Sequence, residues 1–135
     1  MARFPYVSTD GLAASLMPRL PITLSIGERS LEVQGLLDTG AAVNVLPYHV
    51  GVALGAVWNA QNVPVALVGS LGQFDARALL VEASHPLIGS RTTRLVFAWT
   101  QAEHAPLIFG QMNFFIEFDV CFYRSQGFFE ISSKP

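Results

Sequence analysis

The chain has 135 residues, a formal net charge of -2, and a composition that is 51% hydrophobic and 13% charged. This length fits one domain, and a domain of this size can bury a hydrophobic core without disulfide bonds or a structural metal. The single cysteine, Cys121, excludes an intrachain disulfide and a cysteine-based zinc site within one chain. Lys and Arg together number 8 and form no basic run, which argues against a nucleic-acid partner.

The apolar composition has two explanations. Either a second copy of the chain covers part of the surface, as in obligate dimers, or the chain crosses a membrane. A membrane span is not favoured, because no uninterrupted apolar stretch approaches the ~20 residues that a spanning helix needs. Residues 1–19 lack a basic start followed by an apolar block, so the sequence predicts no secretory signal and, by default, a cytoplasmic location.

The beginning of the chain differs in pattern from the remainder. Residues 1–17 show no clear period and are predicted to be an arm or a poorly packed lead-in, ahead of one domain over residues 18–135. From Leu20 to Ile26 apolar residues alternate with others, which predicts a strand. A turn at 27–29 and a return strand over 31–37 complete a predicted hairpin.

Short apolar segments separated by turns continue to the end of the chain. They predict an all-β domain rather than alternating strands and helices. A helical turn is predicted at 47–54, and the best helix candidate is 111–117. The further predicted strands are 43–46, 63–68, 74–83, 94–99 and 106–109, followed by a closing hairpin of 120–123 and 128–131.

The return strand runs directly into Asp38-Thr39-Gly40. An acidic residue at the end of a buried strand is costly unless something uses it, and glycine allows a tight turn with close approach of another backbone. Asp and Gly are also ordinary turn residues. The three residues by themselves therefore leave two interpretations open: a catalytic carboxylate and a plain β-turn.

Three sequence segments, considered together, favour the catalytic interpretation. Residues 36–41, Leu-Leu-Asp-Thr-Gly-Ala, precede an apolar strand; residues 68–72 form a glycine-rich segment; and residues 107–110, Leu-Ile-Phe-Gly, precede the helix candidate. In this order and spacing, over residues 18–131, the sequence resembles the retropepsin family, the aspartic peptidases that include the retroviral proteases. The resemblance implies a retropepsin-like closed barrel with one short C-terminal helix, functional as a homodimer.

The resemblance also assigns residue roles. It makes Asp38 the catalytic residue and Thr39, Gly40 and Ala41 the support of the catalytic loop. It predicts a substrate lying as an extended peptide under a flap, with apolar side chains on both sides of the cut. The flap and pocket residues that it implies are Val43, Val68, Gly69, Ser70, Leu71, Gly72 and Phe109.

The sequence departs from the retroviral pattern at two places. Ala42 and Val43 stand where retroviral members have acids, and Gln111 stands where they have an arginine that pairs with the first acid. Because both partners of the ion pair are absent together, no charge is left unpaired.

One catalytic carboxylate per chain predicts a dimer. Hydrolysis of an amide by carboxylates needs two of them sharing a water, one as base and one as acid. Asp10, Asp75 and Asp119 do not lie on a second catalytic turn, so the partner carboxylate must come from a second copy across a two-fold axis. Alanine at position 41 offers no hydroxyl to the carboxylate, so activity is expected at weakly rather than strongly acidic pH.

No metal or cofactor is expected. The three histidines, at 49, 85 and 104, lack ligand spacing, and neither a Gly-x-Ser-x-Gly elbow nor a phosphate loop is present. The sequence therefore predicts a homodimeric aspartic endopeptidase acting on proteins or peptides. A non-catalytic dimerisation or peptide-binding module with the same fold is the first alternative, and a structural β-barrel with Asp38 as a turn residue is the second.

Overall fold

The computed structural model describes all residues, from Met1 to Pro135. It contains nine β-strands and two short α-helices. The strands are β1 (Ala2–Pro5), β2 (Arg19–Ile26), β3 (Arg29–Leu37), β4 (Asn44–Pro47), β5 (Ala76–Ser84), β6 (Thr93–Thr100), β7 (Ile108–Phe109), β8 (Phe118–Tyr123) and β9 (Phe128–Ser133). The helices are α1 (Tyr48–Ala53) and α2 (Phe114–Glu117).

Six strands close into a barrel in the order β2-β3-β7-β4-β6-β5. Most neighbours are antiparallel, but β3 with β7 and β4 with β6 run parallel. The predicted all-β closed barrel with a short C-terminal helix is confirmed, and α1 is a second short helix at the predicted helical turn. None of the helices is long and apolar enough to cross a membrane.

The β2–β3 hairpin forms for the reason that the sequence suggests. Leu20, Ile22 and Leu24 are buried on one face of β2, as the alternation predicts. The register pairs Ile26 with Arg29, and Gly27 takes the turn with φ at 59°. The hairpin delivers the end of β3, and therefore Asp38, to one end of the barrel.

A second sheet of three strands has the order β1-β9-β8. Residues 2–5 form β1 and pair with β9, and Phe4 and Tyr6 are buried in the same core as the barrel residues. These residues are thus packed, and of the two interpretations left open by the sequence, an arm and a poorly packed lead-in, the arm agrees with this pairing. A four-residue strand is too short to show a period, and its partner lies at the far end of the chain. The boundary at residue 18 stays a prediction.

The strand predicted over residues 63–68 is also wrong. The structure has only an isolated bridge between Pro64 and Arg77 there. Proline has no N–H to donate to a ladder, and Val63 and Val68 are exposed rather than packed on a sheet. Of this run only Leu67 packs against buried barrel side chains, which is too little cover to hold a regular strand.

Aromatic side chains fill much of the core. Trp99 is fully buried, stacks on Tyr48 with ring centroids 5.4 Å apart, and donates Nε1–H to the Tyr48 carbonyl at 3.0 Å. Phe109 stacks on Phe114 at 4.4 Å, which fastens α2 against the barrel. Truncation of such a residue to alanine costs about 3–5 kcal/mol of folding free energy.

Candidate active site

Asp38 follows β3 directly and is held by β7. Leu36 and Leu37 pair with Ile108 and Phe109, and the Asp38 N–H donates to the Phe109 carbonyl at 3.0 Å. This parallel pairing of β3 with β7 continues one residue beyond the strand. The backbone of Asp38 is thus fixed by the barrel before the chain turns.

The turn after β3 is closed by its own hydrogen bonds. The Gly40 N–H donates to Asp38 Oδ1 at 3.0 Å, and the Ala41 N–H donates to the Asp38 carbonyl at 3.1 Å. An aspartate that accepts from the backbone two residues on is a common turn geometry, and it fixes the rotamer of the carboxylate. Asp38 and Ala41 are partly buried, whereas Thr39 and Gly40 are exposed.

The segment between β7 and α2 holds the same turn from outside. The Gln111 side chain donates through Nε2 to the Thr39 carbonyl at 2.7 Å. The Gln111 and Met112 backbone N–H groups donate to the carbonyls of Ala41 and Ala42 at 2.9 and 2.8 Å. Gln111 stands where the family resemblance leads one to expect arginine, so a neutral amide supplies the contact at this position.

Glycine at position 110 permits this close approach. A Cβ there would lie 2.5 Å from the Val43 carbonyl oxygen and 2.9 Å from that of Ala41. Both distances are shorter than real Cβ atoms show, and the atoms are backbone, which cannot swing away. The second glycine motif of the sequence is thus a contact site for the first.

Asn44 is a site residue that the sequence motifs did not single out. It is fully buried at the start of β4, accepts from the Gly110 N–H at 2.8 Å through Oδ1, and donates from Nδ2 to the Val96 carbonyl at 3.0 Å. Asn113, with φ at 77°, accepts from the Val96 N–H at 2.5 Å. A polar residue inside the apolar run 43–46 was the available signal, since buried amides need partners.

Phe109 does not line a pocket, contrary to the expectation from the resemblance. Its side chain is fully buried inside the barrel, and only its carbonyl reaches the candidate site. Because side chains alternate along a strand, its neighbour Ile108 faces the other way and packs at the edge of a small apolar cluster.

That cluster brings together two of the predicted pocket residues. Val43 and Leu71, with Leu67 and Ile108, pack against the buried side chains of Val45, Ala102 and Ala105. The glycine-rich segment is therefore folded against the part of the barrel next to the Asp38 turn.

Residues 63–75, which we call the flap segment, include the predicted flap tip, 68–72; two backbone hydrogen bonds join them to β5. Val65 N–H donates to the Ala76 carbonyl at 2.9 Å, and Ala78 N–H donates to the Val63 carbonyl at 2.8 Å. Its predicted tip residues 69–71 form a 3-10 turn that begins at Gly69 with φ at 68°. Val68 is 88% exposed, and Gly69, Ser70 and Gly72 are exposed as well.

An apolar groove of about 550 Å³ continues from Val43. Val65 of the flap segment, Val96 of β6, Met112 before α2 and Ile116 in α2 also line it. Val43 is thus shared between the small apolar cluster and this groove. Sequence reasoning found Val43 but not the groove, because its walls come from four distant segments.

Other acidic groups lie away from the Asp38 turn in the chain. Asp75 and Asp119 are exposed, before β5 and on β8. Hydrogen bonds from the Ser15 hydroxyl and the Leu12 N–H lower the pKa of Asp10 to about 2. Glu130 raises the pKa of Tyr123. No three His, Cys, Asp or Glu side chains lie close enough together to hold a metal ion.

Comparison with known proteins supports the fold. The chain is similar to a solved structure of EIAV protease complexed with the inhibitor HBY-793, with a TM-score of 0.51 and 17% sequence identity. The match covers 73% of this chain and 86% of the EIAV protease chain. No protein-family model and no curated protein matches the sequence. At this identity the likeness shows a shared fold, and that fold is the retropepsin-like one predicted from the sequence.

Proposed function

We propose that the protein is an aspartic endopeptidase that works as a homodimer, with one Asp38 from each subunit. The observation that carries the proposal is the Asp38 turn itself: a partly exposed carboxylate, at the end of a barrel strand, whose backbone and rotamer are fixed by hydrogen bonds. The solved structure that shares the fold is a protease.

The proposed chemistry needs the two carboxylates to face one water. Two carboxyl groups about 3 Å apart hold a single proton between them, because like charges at that distance do not both ionise readily. The ionised group takes a proton from the water as it attacks the peptide carbonyl. The protonated group polarises the carbonyl oxygen and later gives a proton to the leaving amine.

The residues around Asp38 have supporting roles in this proposal. The Gly40 N–H orients the carboxylate through Oδ1, which leaves Oδ2 for the water and the partner's carboxyl group. Thr39 is exposed beside it, and its carbonyl is held by Gln111. Ala41 gives the carboxylate no hydroxyl contact, so we expect a weakly acidic optimum. A pH–rate profile with its optimum below about pH 3 would contradict this expectation.

The proposed substrate is an extended peptide between the Asp38 turn and the flap segment. Gly69, Ser70 and Gly72 offer exposed backbone that can pair with a peptide as an added strand. Val43, Val68 and Leu71 offer apolar surface at the same place, and the groove beyond Val43 extends it. We therefore propose a preference for apolar side chains near the scissile bond.

The test is cleavage of a peptide with apolar residues on both sides of the cut. Asp38→Asn keeps the size and the Gly40 contact but removes the ionisable group, so kcat/KM should fall about a thousandfold or more. Asp75→Asn is the matched control, since it removes an exposed carboxylate elsewhere, and should keep activity within about twofold. Cleavage that survives Asp38→Asn, or peptide binding without turnover by the unchanged protein, would refute the proposal.

A further inference from the structure

A polar cavity lies where the connection between β5 and β6, the end of α2 and the end of β9 meet. Its volume is about 500 Å³, and sites for small molecules typically have volumes of about 300–1,000 Å³. Nine residues line it, and none of them is hydrophobic. Glu117 also lines the apolar groove beside Val43, but no residue of the Asp38 turn or the flap segment borders the cavity. The cavity is therefore separate from the candidate catalytic turn.

The cavity concentrates positive charge on a chain whose net charge is negative. The chain has 8 Lys and Arg residues and a formal net charge of -2. Three of the eight, Arg91, Arg94 and Lys134, line the cavity, and Glu117 is its one acidic residue. Three cations and one carboxylate give the lining a formal charge of +2. Positive charge that lines a concave surface attracts anions, and here it opposes the charge of the whole chain.

The two arginines of the cavity have no carboxylate partner. The structure has two ion pairs, and the one in this cavity joins Lys134 to Glu117 at 3.2 Å. Arg91 and Arg94 are exposed and belong to neither pair. Because a guanidinium group has five N–H donors, these two side chains keep their hydrogen-bonding capacity for a ligand. Arginines elsewhere have partners within the fold: Arg3 on Glu130, Arg77 on two backbone carbonyls and Arg124 over the Tyr6 ring.

Hydrogen bonds join the walls of the cavity to one another. The Ser133 hydroxyl donates to the Ile88 carbonyl at 3.0 Å, which connects the end of β9 to the segment between β5 and β6. The Lys134 N–H donates to the Glu117 carbonyl at 2.9 Å, which connects the same part of the chain to the end of α2. A site whose walls are held together before binding loses less entropy when its ligand arrives.

We propose that this cavity binds a phosphate group, either as the free ion or on a small polar molecule. A phosphate monoester carries a charge of about -1.5 to -2 at pH 7 and has three acceptor oxygens. These match a lining of charge +2 with two unpaired guanidinium groups. Ser90, Thr92 and Thr93 add hydroxyl groups that can donate to the phosphate oxygens.

The same features disfavour other ligands. A carboxylate has a single charge and two oxygens, and one arginine can satisfy both of them with two parallel hydrogen bonds. The lining offers no apolar residue to a hydrophobic ligand. The proposal goes beyond the proposed peptidase activity and does not depend on it.

Calorimetric titration of the full chain with inorganic phosphate, at an ionic strength held constant with sodium chloride, tests the site. We expect saturable binding of one phosphate per protomer, with a Kd in the millimolar range or below. Arg91→Ala and Arg94→Ala should each raise the Kd about tenfold or more, because each removes charge-assisted hydrogen bonds. Arg29→Ala is the matched control: it removes an exposed, unpaired arginine outside the cavity and should keep the Kd within about twofold.

A further variant should change the affinity in the opposite direction. Glu117→Gln keeps the size of the side chain but removes its charge and frees Lys134, so phosphate should bind several-fold more tightly. A residue with only a structural role in the cavity would weaken phosphate binding, or leave it unchanged, when it is replaced. Circular dichroism of each variant confirms that the fold is kept.

Titration with phosphoserine identifies the source of the phosphate group. Phosphoserine that binds more tightly than inorganic phosphate indicates a phosphorylated small molecule, and phosphoserine that binds no more tightly indicates the free ion; either result supports the proposal. Acetate that binds as tightly as phosphate, a Kd that Arg91→Ala and Arg94→Ala leave unchanged, or the absence of saturable binding would overturn it. Peptide cleavage enters none of these measurements, so the proposed function is tested separately.

Discussion

The Asp38 turn and the flap segment, residues 63–75, are held in the fold in opposite ways. The turn is held by β7, by its own hydrogen bonds, and by the segment around Gln111. The flap segment is joined to β5 by two backbone hydrogen bonds and touches the barrel through Leu67 and Leu71. A segment with fewer hydrogen bonds and buried contacts needs less free energy to open locally than one with many. The comparison teaches that one small domain can combine a turn fixed by many hydrogen bonds with a segment fixed by few.

Among variants that keep Asp38, the largest expected effect comes from displacing the support of the turn. Gly110→Ala adds a Cβ against the carbonyl oxygens of Val43 and Ala41. Gly110 does not have a positive φ, so the cost is steric, and overpacking of this kind costs about 1–3 kcal/mol of folding free energy. We expect a lower Tm and a kcat that falls more than KM changes. Unchanged thermal unfolding and peptide cleavage would contradict the close contact.

A smaller effect is expected from the amide that contacts Thr39. Gln111→Ala removes one hydrogen bond to an exposed carbonyl, which is worth about 0.5–1.5 kcal/mol. We expect kcat to fall several-fold with KM nearly constant, because the turn loses orientation rather than substrate contacts. Gln126→Ala, at an exposed glutamine of the β8–β9 turn, is the control. Equal effects of the two variants on kcat would remove the special role of Gln111.

The flap segment should respond differently from the rest of the fold. Gly69 and Gly127 both have positive φ, at 68° and 78°, and a Cβ at either meets nothing within 4 Å. Alanine at each position is strained by about 1 kcal/mol. We expect Gly127→Ala to lower the Tm, because its hairpin belongs to the core sheet. Gly69→Ala should leave the Tm nearly unchanged and alter KM instead. A similar loss of Tm in both variants would show that the flap segment unfolds with the barrel.

The smallest expected effect is the acid response of the N-terminal segment. Hydrogen bonds from Ser15, Leu12 and Ser8 lower the pKa of Asp10 from 3.8 to about 2. The stabilisation by ionised Asp10 is therefore present above pH 3.8 and is lost as the pH falls from there through about 2. An NMR titration of the Asp10 carboxyl should show the low midpoint, and Ser15→Ala should raise it. A midpoint near 3.8 in the unchanged protein would contradict these hydrogen bonds.

A structural feature could be predicted from the sequence when residues close together in the chain determine it. The β2–β3 hairpin and the glycine-rich turns follow from alternation and turn residues within a few positions. Asp38 at the end of β3 follows from the same local pattern. The pairing of β1 with β9 could not be read, because its two strands are more than a hundred residues apart. The orientation of Phe109 depends on the register of a two-residue strand, which carries no period of its own.

The candidate site likewise contains residues that the sequence identifies and residues that only tertiary contacts reveal. The motif residues of the turn are visible in sequence, whereas the contacts of Asn44 and Gln111 appear only when β4, β6 and the segment before α2 come together. The predicted strand at 63–68 is wrong because the barrel covers only Leu67 of this apolar segment and leaves Val63 and Val68 exposed. The groove beside Val43 likewise has walls from separate parts of the chain.

The central claim is that two copies of Asp38 act in one site, and subunit mixing tests it most directly. Asp38→Asn chains should keep the fold, so they should pair with unchanged chains into inactive heterodimers. With random pairing and a ninefold excess of the variant, the activity of a fixed amount of unchanged protein should fall to about one tenth. Activity that is indifferent to excess variant after long co-incubation would show that one chain suffices and would contradict the account.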